Sequence, residues 1–151
     1  MNAERRRKSG RRGMDRERGN AIVETALMAP WIFLLFLGVF DFGFYAYAAI
    51  TTAHAARVAA LYTSSSAANA ADSSGACKYA LEALQDLPNV GTTVVTCGSL
   101  PVQVTAASGT GPDGAPSSTV TVIYQTVPLF PIPGLMGQMT ITRTAQMRVQ
   151  S

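Results

Sequence analysis

The sequence begins with a polar, arginine-rich stretch, residues 1–18, and then becomes strongly apolar. Residues 25–40 carry no charged side chain, and the apolar character extends, with one acidic interruption, through residue 50. A bilayer core about 30 Å thick is crossed by roughly 20 helical residues, and this segment supplies them. The alanine-rich stretch from Ala46 to Tyr62 contains no Gly or Pro. The pattern predicts a single long helix over residues 20–62 that extends beyond the membrane.

A second pattern follows this helix and predicts a small domain. Residues 63–75 form a polar linker of small residues, and residues 76–87 repeat apolar side chains at near-helical spacing, which predicts a short amphipathic helix. Strands are predicted at residues 92–97, 100–105, 119–127 and 139–149, with a turn at Gly98-Ser99 and loops at residues 106–117 and 128–137. The predicted fold class is α+β: a long N-terminal transmembrane helix, then residues 76–151 with a short helix and an antiparallel sheet.

Charge is distributed unevenly along the chain. Residues 1–18 hold eight Lys/Arg and three Asp/Glu, a net charge of +5, whereas the remaining residues carry a net charge of −2. A basic arm can bind nucleic acid, but an arm directly followed by a long apolar run favours membrane targeting instead. Lys and Arg on one flank of a transmembrane helix retain that flank in the cytoplasm. We therefore expect a membrane partner and no nucleic acid, with the C-terminal domain outside the cytoplasm.

The two cysteines, Cys77 and Cys97, both lie in this outer part. In an oxidising compartment they are expected to form a disulfide, and the alternative is a pair of unpaired thiols in a small core. Two cysteines and the lone His54 do not make a tetrahedral metal site. No Ser/His/Asp set, carboxylate pair or phosphate-binding loop is visible. We expect neither a metal, nor a cofactor, nor an enzyme.

The border between the basic arm and the apolar run contains an unusual acid. Glu24 lies at the start of the apolar run, where a charged side chain costs about 2.5–3.5 kcal/mol on insertion scales. It is the fifth residue after Gly19, which directly follows the basic arm. This arrangement resembles the signal of type IV prepilin-like proteins, with Gly19 before the cut and Asn20 as the new N-terminus. A headgroup-level acid near the helix start is the alternative interpretation of Glu24.

Further residues make the resemblance more specific. The stretches AIVETALMAP at residues 21–30, GVFDFG at 38–43 and AAR at 55–57, with the terminal AQMR at 145–148, are similar to the TadE-like family of pseudopilins. The resemblance is most specific over residues 18–60 and the last strand. It implies a minor pilin of a Tad, or Flp-type, pilus, located in the bacterial inner membrane and supporting pilus assembly, adhesion or biofilm formation.

The resemblance also implies a processing route and partners. Residues 1–19 are the basic leader, which a prepilin peptidase removes by cleavage between Gly19 and Asn20. The partners are then this peptidase, other pilin-like subunits, Tad assembly proteins and membrane lipid. One alternative is an uncleaved bitopic membrane protein whose outer domain binds partners in an envelope complex. Another is a secreted domain cut after Ala48, at an Ala-x-Ala-like site.

Three residues are candidates for contacts between subunits. Asn20 and Glu24 are four residues apart and share a helix face. The Glu24 carboxylate can therefore pair with the free amine of a neighbouring subunit, which offsets the cost of burying both charges. Asp41, about 25 Å further along the helix, either bonds to another helix or marks the membrane interface beside aromatic residues. Arg57 either pairs with an acid of a partner or is an ordinary solvated residue.

Overall fold

The computed structural model describes residues 3–91, 94, 96–128 and 137–150, with the backbone alone for residues 3–21. Within these residues, two α-helices are followed by a four-stranded antiparallel sheet, which confirms the α+β fold class. The elements are α1 (Ala3–Ser64), α2 (Ser73–Leu84), β1 (Gly98–Ser99), β2 (Val102–Thr110), β3 (Pro116–Gln125) and β4 (Thr140–Arg148). The chain divides into two compact units, Met1–Phe40 and Asp41–Ser151.

The N-terminal unit consists of the first part of α1. Its apolar side chains are exposed on all sides of the helix: Ile22, Leu27, Trp31, Phe33 and Phe36 are each at least 61% exposed. A helix that is apolar all round is typical of a membrane span. The part of the helix from Ile22 to Ser64 is long and apolar enough to cross a membrane. An 18-residue stretch within it has a mean hydropathy of 2.0, and none of that stretch is buried. An apolar core helix of a soluble domain would be mostly buried, so the exposure favours the membrane.

The basic arm differs from the prediction. The helix predicted from the sequence begins at residue 20, whereas the backbone of α1 is helical from Ala3. Arg, Lys, Glu and Met, which have high helix propensity, dominate this stretch and outweigh the glycines Gly10 and Gly13. At the other end, Ser64 ends the helix within two residues of the predicted position.

The second part of α1 belongs to the C-terminal unit and buries an alanine face. Five alanines on this face, Ala48, Ala55, Ala56, Ala59 and Ala60, are at most 1% exposed. Small side chains allow the rest of the domain to pack close to the helix backbone. The buried Thr52 hydroxyl donates a hydrogen bond to the Ala48 carbonyl oxygen at 2.7 Å, so its polar group is satisfied within the helix. Since Ala48 is part of this core, a cut after Ala48 would separate a core residue from the domain.

The connection between α1 and α2 is organised by Asp72. One carboxylate oxygen, Oδ1, accepts hydrogen bonds from the backbone N–H groups of Ser74 and Gly75, both at 3.0 Å. The other oxygen, Oδ2, accepts a hydrogen bond from the Tyr62 hydroxyl at 2.8 Å. The Gly75 N–H and the Tyr62 hydroxyl hold the pKa of Asp72 below its usual value. Because Asp72 is an N-cap, α2 begins at Ser73, three residues before the predicted start, and the predicted linker is correspondingly shorter.

Substitution of Gly75 is expected to show the tight fit at this cap. A Cβ added at Gly75 would overlap Cε1 and the hydroxyl of Tyr62 and approach the Asp72 carboxylate. Gly→Ala inside a helix normally stabilises by about 0.5–1 kcal/mol, but Gly75→Ala should instead lower the free energy of unfolding by about 1–3 kcal/mol through overpacking. Pulse proteolysis in urea on the full chain measures this.

A matched control distinguishes a local clash from a general intolerance of alanine. A Cβ added at Gly109 meets no atom within 4 Å, so Gly109→Ala should leave stability unchanged or raise it. The cost of Gly75→Ala should shrink in a Tyr62→Ala background, because the ring is then absent. An equal cost in both backgrounds would contradict the proposed overlap.

The sheet has the order β1-β2-β3-β4. β2 and β3 form a hairpin in register from Val102↔Tyr124 to Thr110↔Pro116, and β4 pairs along β3 from Ser117↔Arg148 to Gln125↔Thr140. The predicted last strand is confirmed as β4. The predicted loop 106–117 is wrong at both ends, because the hairpin continues to Thr110 and resumes at Pro116. The small residues of this segment, Ala, Ser and Gly, do not indicate a strand by their own propensity, so the sequence did not predict these parts of the hairpin.

The strand predicted at residues 92–97 is wrong where the structure describes it. Val94, Thr96 and Cys97 have no strand conformation, and residues 92, 93 and 95 lie outside the described residues. Gly98-Ser99, expected as a turn, instead forms the short strand β1, which pairs with Val102 and Gln103. Most of the predicted connection 128–137 also lies outside the described residues.

Buried polar groups join the helices to the sheet. The Ser118 hydroxyl oxygen lies 2.8 Å from both Thr63 Oγ1 and the Ala70 carbonyl oxygen. The fully buried Tyr124 directs its hydroxyl to the Pro88 carbonyl oxygen at 3.0 Å and to Asn89 Oδ1 at 3.1 Å. Burial raises the pKa of Tyr124 to about 12. These contacts hold the end of α1 and the segments on either side of α2 against β3.

The disulfide predicted from the sequence is present. Cys77 in α2 is bonded to Cys97, which lies just before β1, with 5.7 Å between the two Cα atoms. Residues 86–91, 94 and 96, between α2 and Cys97, have no regular secondary structure. The bond therefore fastens an irregular connection to the helix.

Candidate processing and assembly site

Glu24 lies on α1 among exposed apolar residues. Its side chain is exposed, and so are Val23 (64%) and Met28 (62%). Within the described part of the chain, Glu24 forms no salt bridge. No charged residue follows it until Asp41. Among the described side chains, Glu24 is thus a carboxylate without a charged partner on an apolar helix.

The Gly19–Asn20 peptide bond lies in the helical backbone of α1. The structure describes only the backbone at these two residues, so the cleavage site stays a prediction. Glycine lowers helix stability by about 1 kcal/mol relative to alanine and has no Cβ to obstruct an approaching group. A glycine at position 19 is therefore compatible with the predicted cut.

A shallow apolar groove lies on the face of α1 that is opposite Glu24. Ile22, Thr25, Ala26 and Ala29 line it, at the spacing of one helix face. Small side chains at this spacing permit close approach of a second helix in a membrane. Glu24 is not among the lining residues, so a helix that packs in this groove lies on the other side of α1 from the carboxylate.

The structure does not bring Asp41 and Arg57 together. Asp41 is half-buried and Arg57 is exposed, and they lie 16 residues apart on the same helix, about 24 Å. Neither forms a salt bridge within the described residues, where Arg148–Asp113, at 3.8 Å on the surface, is the pair present. Their assignment to helix–helix contacts stays a prediction.

Sequence reasoning missed two features of the domain. One is the Asp72 cap, whose signal was the Asp-Ser-Ser-Gly stretch before the short helix. The other is a row of exposed residues on α1, which contains Tyr47, Ile50 and Leu61. The sequence signal for this row was a spacing of alternately three and four residues between its members. Among the described residues, no group of three or more His, Cys, Asp or Glu could hold a metal ion.

Comparison with protein families gives a match to part of the chain. The family model for TadE-like protein matches residues 19–61, the segment that begins at Gly19 and covers Glu24, Asp41 and Arg57. This match confirms the resemblance found in the sequence over that segment. No curated protein matches the chain. No solved structure matches it either.

Proposed function

We propose that this protein is a TadE-like minor pilin that is processed by a prepilin peptidase and acts as a structural or priming component of Tad pilus assembly. The observation that carries the proposal is the match to the family model for TadE-like protein. The matched segment begins at Gly19, the residue that precedes the proposed cut. The family match supports a pilus-related structural role. The cleavage after Gly19, the partners and the role in adhesion go beyond the family match and are our proposals.

The charge pattern supports a defined orientation. The basic arm precedes the exposed apolar helix and keeps the N-terminus in the cytoplasm. The C-terminal domain then lies outside the cytoplasm, where its disulfide can form and persist. In this arrangement the protein is retained in the bacterial inner membrane by α1, and its domain is available to the pilus or its assembly proteins.

Cleavage after Gly19 has two physical consequences. It removes the whole basic leader, which otherwise fixes the helix at the cytoplasmic surface. It also creates an amine on Asn20, one helical turn from Glu24. In a bundle of such helices the amine of one subunit can donate a charge-assisted hydrogen bond to the Glu24 carboxylate of another. A buried pair of this kind favours one alignment of the helices over others.

The N-terminus of the mature protein tests the processing. In cells that contain the peptidase we expect the chain to begin at Asn20, and Gly19→Val should leave it beginning at Met1. Gly13→Val is the matched control, because it changes a glycine of the same leader and should still be processed. N-terminal sequencing or intact mass measures all three. An intact Met1 in the parent protein would favour the uncleaved bitopic membrane protein instead.

A further inference from the structure

The part of α1 in the C-terminal unit has an exposed row that its own domain does not use. We call it the α1 stripe, and it consists of residues spaced alternately three and four apart: Tyr47, Ile50, His54, Arg57 and Leu61. Ile50 is 71% exposed, Leu61 60% and Tyr47 50%. This alternation is the spacing by which one helix packs along another.

The composition of the α1 stripe differs from that of a solvent-facing helix surface. The outer face of an amphipathic helix is normally charged and polar. Here Arg57 is the one residue of the stripe with a permanent charge, and three of the five side chains are large and apolar. The opposite face is already buried as alanines against the domain. The stripe therefore has the character of a contact surface with a single cation in it.

A surface of opposite charge lies at the end of α2. Glu82 lies in the last turn of α2 and Asp86 directly follows the C-cap residue Gln85, and both side chains are exposed. We call this pair the acidic end. The C-terminus of a helix carries a partial negative charge and favours cations, yet α2 has no basic residue in its last turn. Lys78, one turn earlier, forms no salt bridge with Glu82 among the described residues.

Symmetry decides which surfaces can meet. Copies inserted in one membrane have parallel α1 helices, a point that rests on the proposed function. If two α1 stripes packed together in register, Arg57 would face Arg57, which is unfavourable at a helix seam. Contact between unlike surfaces avoids this and gives Arg57 two carboxylates, which suit the planar guanidinium. Unlike contacts also propagate into rings or open chains, whereas like contacts close into dimers.

We propose that copies of this chain associate through unlike surfaces, with the α1 stripe of one copy packed against the acidic end of the next. Arg57 forms the charged contact with Glu82 and Asp86, while Ile50 and Leu61 supply apolar area beside it. A subunit with one surface of each kind can join two neighbours, so it can extend a fibre as well as terminate one.

Site-directed crosslinking of the full chain in membranes tests this contact. Two differently tagged copies are co-expressed, one with His54→Cys and the other with Gln85→Cys, and treated with a short bifunctional maleimide. We expect a mixed dimer, and no dimer when either variant is expressed alone. Arg57→Glu should lower the mixed dimer about tenfold, since like charges then face each other. Adding Glu82→Lys and Asp86→Lys to the Arg57→Glu chains should restore it.

Other results would overturn the contact. A dimer from His54→Cys alone would place α1 stripe against α1 stripe. Rescue of Arg57→Glu by Asp41→Lys, and not by the changes at Glu82 and Asp86, would identify Asp41 as the acid that pairs with Arg57. The N-terminus of the same samples separates the two proposals: processed chains without a mixed dimer contradict this contact and leave the proposed function standing.

Discussion

Replacing both Cys77 and Cys97 with alanine is expected to lower the free energy of unfolding of the domain by about 3 kcal/mol. The bond closes a loop with a sequence separation of 20 residues. In the chain-entropy description, the loss comes from the greater freedom of the unfolded chain once this loop is open. The effect is large for a domain of this size, since whole domains are stable by only about 5–15 kcal/mol.

Urea unfolding of the full chain, followed by pulse proteolysis, measures the loss. Dithiothreitol should lower the free energy of unfolding of the parent protein by a similar amount. It should leave the double variant unchanged, because that variant has no disulfide to reduce, and the double variant therefore serves as the control. Single variants, Cys77→Ala and Cys97→Ala, should behave like the double variant because either one opens the loop. A parent protein that is insensitive to reductant would show that the bond contributes nothing to stability.

The long helix and the final strand could be predicted because their patterns extend over many residues. In α1 the apolar run and the alanine stretch agree on one element, and its C-terminal end is at Ser64 against the expected Tyr62. In β4 most apolar residues alternate with polar ones. Arg143 breaks that alternation: it pairs with Val122, whose side chain is buried, yet it stays exposed on the outermost strand described. Charged residues are tolerated at such edges.

The middle of the chain could not be predicted in the same way. Thr92–Cys97 has strong β propensity, yet its described residues form no strand, since propensity is a weak guide where cross-strand partners decide. Gly98 and Ser99 pair as a strand because the chain turns back at Leu100-Pro101 and places them beside Val102 and Gln103. These outcomes depend on neighbours distant in sequence or on a turn, which local patterns do not contain.

The candidate site likewise has one part that could be predicted from the sequence and one part that could not. The position of Glu24 on an apolar helix could be predicted and is found there. Its function depends on a second molecule, and neither the sequence nor a single chain contains that contact. The α1 stripe is comparable: its spacing was visible in the sequence, but its exposure became clear only once the alanine face was seen to be buried on the opposite side.

Glu24→Gln is expected to have the largest effect on assembly while leaving membrane insertion and cleavage intact. Removing one partner of a buried charge pair costs about 3–5 kcal/mol, so recovery of untagged copies with a tagged copy should fall by a factor of more than about 100. Asp113→Asn is the control, because it also neutralises a carboxylate but lies between β2 and β3, away from α1 and from the proposed subunit contacts.

A double-variant comparison then tests whether the partner is the amine of Asn20. Gly19→Val keeps the leader attached, so the amine never forms and Glu24 has already lost its partner. Adding Glu24→Gln to Gly19→Val should therefore reduce recovery little further, whereas independent effects would multiply. Fully multiplicative losses would show that Glu24 acts through another group. If the Asn20 amine and the Glu24 carboxylate form one contact, Glu24→Gln alone should reduce recovery strongly. The combined variant should then show no further loss relative to Gly19→Val alone.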